Sequence, residues 1–387
     1  MQPATIDTNS CKWSPAPYSE RIEELFQKLE LAYETFIGYP CSGEIDYSPL
    51  YRFLRLPINN VGDPFDDSTY RVNTKQIECD VIRWFAGLTH AADDSYWGYV
   101  TNGGSEGNLF GLYLARELYP DGIVYYSEQT HYSVSKNLRV LKMPSIMLRA
   151  LPNGEIDYDD FKESVRIHRE VPPIVFANIG TTMKQGVDDV GRIRQILNSM
   201  AVPRSYIHCD AALGGMVLPF LDDAPVWDFR AGIDSLSISG HKLIGSPVPS
   251  GVVLARKEHV SRISRLIECV GTLDTTLTGS RNGITPLFLW YSIQKHGEQG
   301  FRDKVARCID LAQYVVERLK DIGVPAWRNR FAMTVVFPRP PQAVRSKWQI
   351  AVDGDDAHLI TMPHVTREQM DRFVDDLYTA LQTDSKS

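Results

Sequence analysis

The stretch Tyr206–Lys242, YIHCDAALGGMVLPFLDDAPVWDFRAGIDSLSISGHK, holds two short apolar runs, each closed by a residue able to do chemistry. The first, Tyr206–Cys209, ends in Asp210 with only small residues behind it. The second, Ser235–Ser239, ends in Gly240, His241 and Lys242. Short apolar runs bounded by Gly, Ala and Asp read as buried strands. The lysine follows the aspartate by 32 residues, enough for one crossover and one strand, so the pair is expected at neighbouring strand ends. Ligands of open α/β sheets bind at such ends. Taken singly, the aspartate reads as a turn cap and the lysine as a loop residue; the pairing singles them out.

Outward from this pair the same rhythm continues. Toward the N-terminus come YWGYVTN, a helix after Ser105, IVYYSE, a helix after Tyr132, SIMLRAL, a helix near Asp159, PIVFANIG and a helix after Asp189. Strict alternation of strand and helix implies a mostly parallel sheet covered on both faces. Beyond Lys242, GVVLARKEHV suggests a further strand. Helices at about 285–297 and 300–322 then lead to a smaller α+β region with strands near TVVFP and AHLITMP and a last helix from about Thr366. Before the alternation, Ile22, Leu25, Phe26, Leu29, Tyr33 and Phe36 recur at three and four residues, an amphipathic helix ended by Gly38 and Pro40. The turn-rich segment around NNVGDPFDD reads as an arm. The expected organisation is an N-terminal helix and arm over residues 1–73, a large α/β domain over 74–298 and a small α+β domain over 299–387.

The chain of 387 residues is 43% hydrophobic and 23% charged, the balance of a soluble globular protein and not of a disordered or collagen-like one. Its net charge of −7 gives no general attraction to phosphate backbones or anionic lipid, so neither nucleic acid nor membrane is expected as a partner. The apolar stretches are strand-length, short of a membrane span. Six dispersed cysteines, Cys11, Cys41, Cys79, Cys209, Cys269 and Cys308, form no CxxC pair and follow no secretory leader, which points to reduced thiols in the cytoplasm. No metal site is expected.

Tyr99–Asn108, YVTNGGSEGN, places two glycines, a hydroxyl and an acid where a strand gives way to a helix. A helix N-terminus offers unsatisfied N–H donors, and Gly103 and Gly104 let an anion approach the backbone. Capping of the helix by Ser105 and Asn108 is the alternative reading. The spacing matches neither GxGxxG nor GxxxxGK[ST], which disfavours a dinucleotide or nucleoside triphosphate. An anion cup, a strand-end acid and a strand-end lysine, in that order, are what pyridoxal phosphate requires: a phosphate seat, a partner for its pyridine nitrogen and an amine for a Schiff base. His131, in SEQTHYSVSK after the strand IVYYSE, is a candidate to stack an imidazole on the ring; taken alone it reads as a histidine near a helix start.

The motifs TNGGSEGN, THYSVSK, IGTT, HCDAALGG, SISGHKLIGSP and TGSRNG resemble those of the group II pyridoxal-phosphate-dependent amino-acid decarboxylases, with bacterial histidine and plant serine decarboxylases nearest in appearance. The likeness runs from about Gly38 to the C-terminal helix. It implies fold type I, the aspartate-aminotransferase-like α/β architecture, and a homodimer with shared active sites. By the same resemblance Lys242 is the Schiff-base lysine, Asp210 the partner of the pyridine nitrogen, Ala212 the residue under the ring and His131 the stacking histidine. Gly104, Ser105, Ser239 and His241 would hold the phosphate, and Thr182 would lie near the phenolic oxygen. Ser280 and Arg281 would reach the neighbouring subunit's phosphate. Ile284 and Ser250 stand where the relatives have histidine and cysteine, and both are candidate pocket residues. The implied reaction is decarboxylation of L-histidine to histamine, with L-serine or another small or apolar amino acid as the alternative substrate. Transamination and desulfuration share the lysine and aspartate requirement but not the motif set. A non-catalytic binding protein on the same fold is the alternative of a different class.

Overall fold

The computed structural model describes residues 17–268 and 271–384. Cys11, Cys269 and the first residues of the chain lie outside that range.

Seven strands form the main sheet: β1 (Tyr96–Thr101), β2 (Ile123–Ser127), β3 (Ser145–Leu148), β4 (Pro173–Asn178), β5 (Tyr206–Asp210), β6 (Ser235–Ser239) and β7 (Gly251–Arg256), in the spatial order β1-β7-β6-β5-β4-β2-β3. β2, β3, β4, β5 and β6 pair in parallel. β7 runs antiparallel to both of its neighbours, β6 and β1, so β1 points the same way as the parallel set. Every residue of β4, β5 and β6 is buried, as expected of central strands covered on both faces.

Helices α1 (Tyr18–Tyr33), α2 (Lys75–Leu88), α3 (Gly104–Leu118), α4 (Ser133–Leu141), α5 (Tyr158–Ile167) and α6 (Val190–Ser199) precede or alternate with these strands. The crossovers begin where the sequence supplies caps. The Asp157 carboxylate accepts from the backbone N–H groups of Asp159 and Asp160 at the start of α5, and Asp189 accepts from Arg192 N at the start of α6. The core is split by the sheet. Phe110, Leu112, Leu114, Val134 and Leu138 of α3 and α4 pack on one face. Phe85, Phe161, Ile193 and Leu197 of α2, α5 and α6 join the larger cluster.

A short helix α7 (Lys257–Val260) and a hairpin, β8 (Arg265–Ile267) with β9 (Thr272–Asp274), follow β7; no periodic signal marks the hairpin in the sequence. The long helix α8 (Ile284–Asp321) is interrupted at Gly297, whose φ of 58° leaves the helical region, so the chain makes the two helices expected from the sequence with a kink between them. A three-stranded antiparallel sheet is formed by β10 (Thr334–Pro338), β12 (Asp356–Ile360) and β11 (Ala351–Asp353), in that spatial order; Phe337 of β10 and Trp348 of α9 (Gln342–Trp348) both pack on the Phe373 ring of α10 (Arg367–Asp384). β11, only three residues long, is below the length that periodicity can register. Among the described residues no helix is long and apolar enough to cross a membrane.

Candidate active site

Because β1 and the parallel set point one way, the segments leaving β1, β2, β4, β5 and β6 all emerge at one edge of the sheet. The residues singled out at the start of α3 and in the turns after β2, β4, β5 and β6 lie along that edge.

Gly103 enters α3 with φ 132°, a conformation that disfavours any side chain. A Cβ on Gly104 would stand 2.8 Å from Ser239 Oγ and 3.7 Å from Ala212 Cβ, and a Cβ on Gly103 would stand 3.9 Å from His241 Cε1. Three segments therefore converge on one spot: the first turn of α3, the turn after β5 and the end of β6. Ser105 is exposed at this helix start. The Glu106 carboxylate accepts from Asn102 N and Nδ2, both at 2.8 Å, and fixes the turn that presents the first backbone N–H groups of α3.

Asp210, 8% exposed, closes β5. Its Oδ1 accepts from Ala212 N at 3.1 Å and its Oδ2 from Asn108 Nδ2 at 2.7 Å. Lys242 is half-buried, and desolvation of its ammonium lowers its pKa, an effect that the charges of Asp210 and Cys41 oppose. Burial likewise lowers the pKa of His131, again opposed by Asp210 and reinforced by Lys242 and Lys136. The three groups thus lie within electrostatic reach of one another. His131 Nδ1 is 2.8 Å from Ser133 Oγ, which orients the ring.

His241 Nδ1 sits 2.9 Å from Ser250 O and 3.2 Å from Ser250 N, and burial lowers its pKa. Ser250 itself is buried, with an Oγ that has no hydrogen-bond partner, and it packs where a Cβ on Gly240 would come within 2.7 Å. It supports the lysine loop from behind. Thr182 is exposed in the turn after β4, whereas its neighbour Thr181 is buried and accepts from Gly186 N. Ser280 is exposed and accepts from Asn59 Nδ2 at 3.1 Å. Ile284 opens α8, its N–H held by Asn282 Oδ1 at 2.8 Å, and packs half-buried against the cluster of Tyr47, Leu50, Leu287 and Phe288.

Arg281 departs from the expectation that it reaches a neighbouring subunit's phosphate. It is buried, ion-paired with Glu78, donates to Gly62 O at 2.9 Å and lies over the Tyr99 ring. Its guanidinium ties the loop before α8 to α2 and β1, and moving it outward would leave Glu78 as an unpaired buried charge.

Sequence reasoning missed two features. Asn108, read only as part of a helix start, holds Asp210; its position four residues after Gly104, on the same helix face, was the available signal. Cys41 lies near enough to Lys242 for each to shift the other's pKa, and no local pattern predicts a contact across two hundred residues.

The sequence profile described as "Pyridoxal-dependent decarboxylase conserved domain" matches residues 65–324. The chain belongs to the pyridoxal-dependent decarboxylases. The histidine decarboxylase of Mesorhizobium japonicum is 47% identical to this decarboxylase over 356 residues, covering 92% of this chain and 96% of that one. That of Morganella morganii is 48% identical over 344 residues, 88% of this chain and 91% of that one. Among solved structures, the L-methionine decarboxylase of Streptomyces sp. 590 superposes with a TM-score of 0.85 at 25% identity, covering 97% of this chain and 98% of that one. The Lactobacillus brevis glutamate decarboxylase, at 17% identity and a TM-score of 0.79 over 97% of this chain and 95% of that one, shares the fold. The architecture is fold type I, and the enzyme is a pyridoxal-phosphate-dependent amino-acid decarboxylase.

The residues present fit that cofactor. The space that a Cβ on Gly104 would fill, rimmed by Ser239, Ala212 and the first turn of α3, suits a phosphate. Asp210 keeps acceptor capacity beyond its two internal donors. Lys242, its charged form disfavoured by burial, is the amine within that reach.

Proposed function

We propose that this enzyme converts L-histidine to histamine and carbon dioxide. The carrying observation is that its curated relatives, sharing nearly half of its residues over most of both chains, are histidine decarboxylases.

In this reading Lys242 holds the cofactor, Asp210 accepts from its ring nitrogen, Ala212 lies under the ring and His131 stacks upon it. Gly104, Ser105, Ser239 and His241 seat the phosphate, and Thr182 lies by the phenolic oxygen. When bound, pyridoxal phosphate supplies an electrophilic carbon for the substrate amine and a sink for the electron pair left as carbon dioxide departs. The protein's part is orientation, exclusion of water and proton movement. Burial favours the neutral amine of Lys242 and the neutral imidazole of His131. Either can therefore take up a proton and deliver it to the substrate Cα.

The working unit in this reading is a homodimer with shared sites, in which Ser280 faces the partner chain. The exposed apolar stripe of α1, with Ile22, Leu25, Phe26 and Leu29 each more than half exposed, supports it. The division into an arm to residue 73, a large domain to 298 and a small domain beyond is supported by the kink at Gly297. Unpaired Cys41, Cys79, Cys209 and Cys308 support a cytoplasmic setting.

Incubating the purified holoenzyme with an equimolar mixture of the common amino acids and identifying the new amine by mass spectrometry tests the substrate. Histamine is expected. Ethanolamine or 3-methylthiopropylamine as the main product would overturn the assignment.

A further inference from the structure

Behind Asp210 runs a line of buried polar groups that cofactor binding and catalysis leave unused. His208 lies two residues before Asp210 on β5, so both side chains face α3. Asn108 of α3 stands between them, with Nδ2 2.7 Å from Asp210 Oδ2 and Oδ1 3.0 Å from His208 Nε2. The other ring nitrogen, Nδ1, is 2.7 Å from Ser235 Oγ, which in turn lies 2.8 Å from the Tyr206 hydroxyl.

Chemistry fixes the direction of every proton in this line. A carboxylate only accepts, so the Asn108 amide must turn its NH2 to Asp210 and its carbonyl to His208. The carbonyl also only accepts, so His208 must donate from Nε2. A neutral imidazole with its proton on Nε2 has a lone pair on Nδ1, which accepts from the Ser235 hydroxyl. Ser235 Oγ, its own proton committed, accepts from Tyr206. The reverse order would set two acceptors face to face beside Asp210. Burial independently favours the neutral ring, pulling the His208 pKa down to about 3.

The backbone makes room for this line. A Cβ on Gly111 would stand 2.2 Å from His208 Nδ1, and one on Gly107 would stand 2.2 Å from Ser237 Oγ. Gly104, Gly107 and Gly111 form one smooth face of α3 that lets Asn108 reach down between the two β5 side chains.

We propose that His208 is a positioning residue for the cofactor: as the Nε2–H tautomer it orients Asn108, and the line Tyr206, Ser235, His208, Asn108 directs its protons at Asp210. One Asp210 oxygen is thereby fixed in place, with the remaining lone pairs aimed outward at a ring nitrogen. The proposal rests on the reading that Asp210 faces that nitrogen.

Two measurements test it. In 15N-histidine-labelled holoenzyme, His208 should show a protonated Nε2 and a bare Nδ1, unchanged between about pH 6 and 8. An Nδ1–H tautomer, or titration within that range, would overturn the proposal without any variant having to fold. The second measurement is the pyridoxal-phosphate dissociation constant, read by fluorescence quenching. His208→Leu should weaken binding about tenfold, the worth of one net hydrogen bond. His208→Gln, which keeps a donor toward Asn108, should recover most of the loss. In an Asp210→Asn background, His208→Leu should cost little more. An equal loss in both backgrounds means that His208 acts only through packing, which refutes the relay. If Asp210→Asn alone leaves both the dissociation constant and turnover unchanged, the Asp210 assignment itself fails.

Discussion

Burial disfavours the charged ammonium of Lys242, against the opposing pull of Asp210 and Cys41, and this makes it a better nucleophile than a surface lysine at neutral pH. In the proposed reading, cofactor attachment concentrates at this one position. Lys242→Ala should abolish the visible absorbance of the bound cofactor, and borohydride reduction of the wild type followed by peptide mapping should place the pyridoxyl group on Lys242. A pyridoxyl group on another lysine contradicts the assignment. The site's other charges were legible in part. Asp210 and Lys242 declared themselves by standing at the ends of short apolar runs with sharp boundaries. Arg281 did not: its motif resembles one at a phosphate, yet its guanidinium is buried against Glu78, because the fate of a long side chain depends on partners that no neighbouring residue specifies.

At the scale of elements, α3 does two jobs. Its N-terminus is the proposed phosphate seat, and its glycine face brings Asn108 onto β5. Gly111→Ala places a methyl group within 2.2 Å of His208 Nδ1, where either the ring or the helix must move. Such overpacking costs about 1–3 kcal/mol, so the urea midpoint should fall and cofactor binding should weaken together. Unchanged stability and affinity would mean that the helix–strand spacing is softer than the packing requires. Helix α1 raises the opposite question. It has no buried residue, and Ile22, Leu25, Phe26 and Leu29 project an uncovered apolar stripe. Removing residues before Gly38 should shift the proposed dimer toward monomer in sedimentation and lower specific activity with it. A truncated protein that sediments as the intact one does would leave the stripe without that function.

The whole molecule carries a pH dependence that follows from its buried imidazoles. His208 has a folded-state pKa of about 3 against an ordinary value of 6.5. Its neutral form is therefore favoured by folding, and the stabilisation is complete above about pH 6.5. As pH falls from there toward 3, the unfolded chain binds a proton that the folded chain does not, and stability is lost. The loss approaches about 1.4 kcal/mol per pH unit for each such group. His358 and His364, also pulled down by burial, act in the same direction. Urea midpoints between pH 7 and 5 should fall with a slope that His208→Gln reduces by about one proton. A slope unchanged in that variant would place the acid sensitivity elsewhere.

What the sequence determined by itself is what repeats locally. Strand and helix alternate from Trp97 to Ser239 because apolar periodicity and capping residues such as Asp157 and Asp189 are short-range signals. The ordered cup, acid and lysine, with His131 between, pointed to one cofactor before any contact was known. Tertiary structure decided what spans the chain. Helix α3 over β5 put Asn108 against Asp210 and His208, residues a hundred positions apart. The arm put Cys41 beside Lys242, and the loop before α8 turned Arg281 inward to Glu78. The hairpin β8–β9 and the strand β11 also waited on packing, being too short to show a period. Local propensity is set by each residue and its near neighbours. A hydrogen-bond partner or buried counter-charge is set by whichever segment the fold brings within about 3 Å, and that distance exists only once the sheet and its helices are assembled.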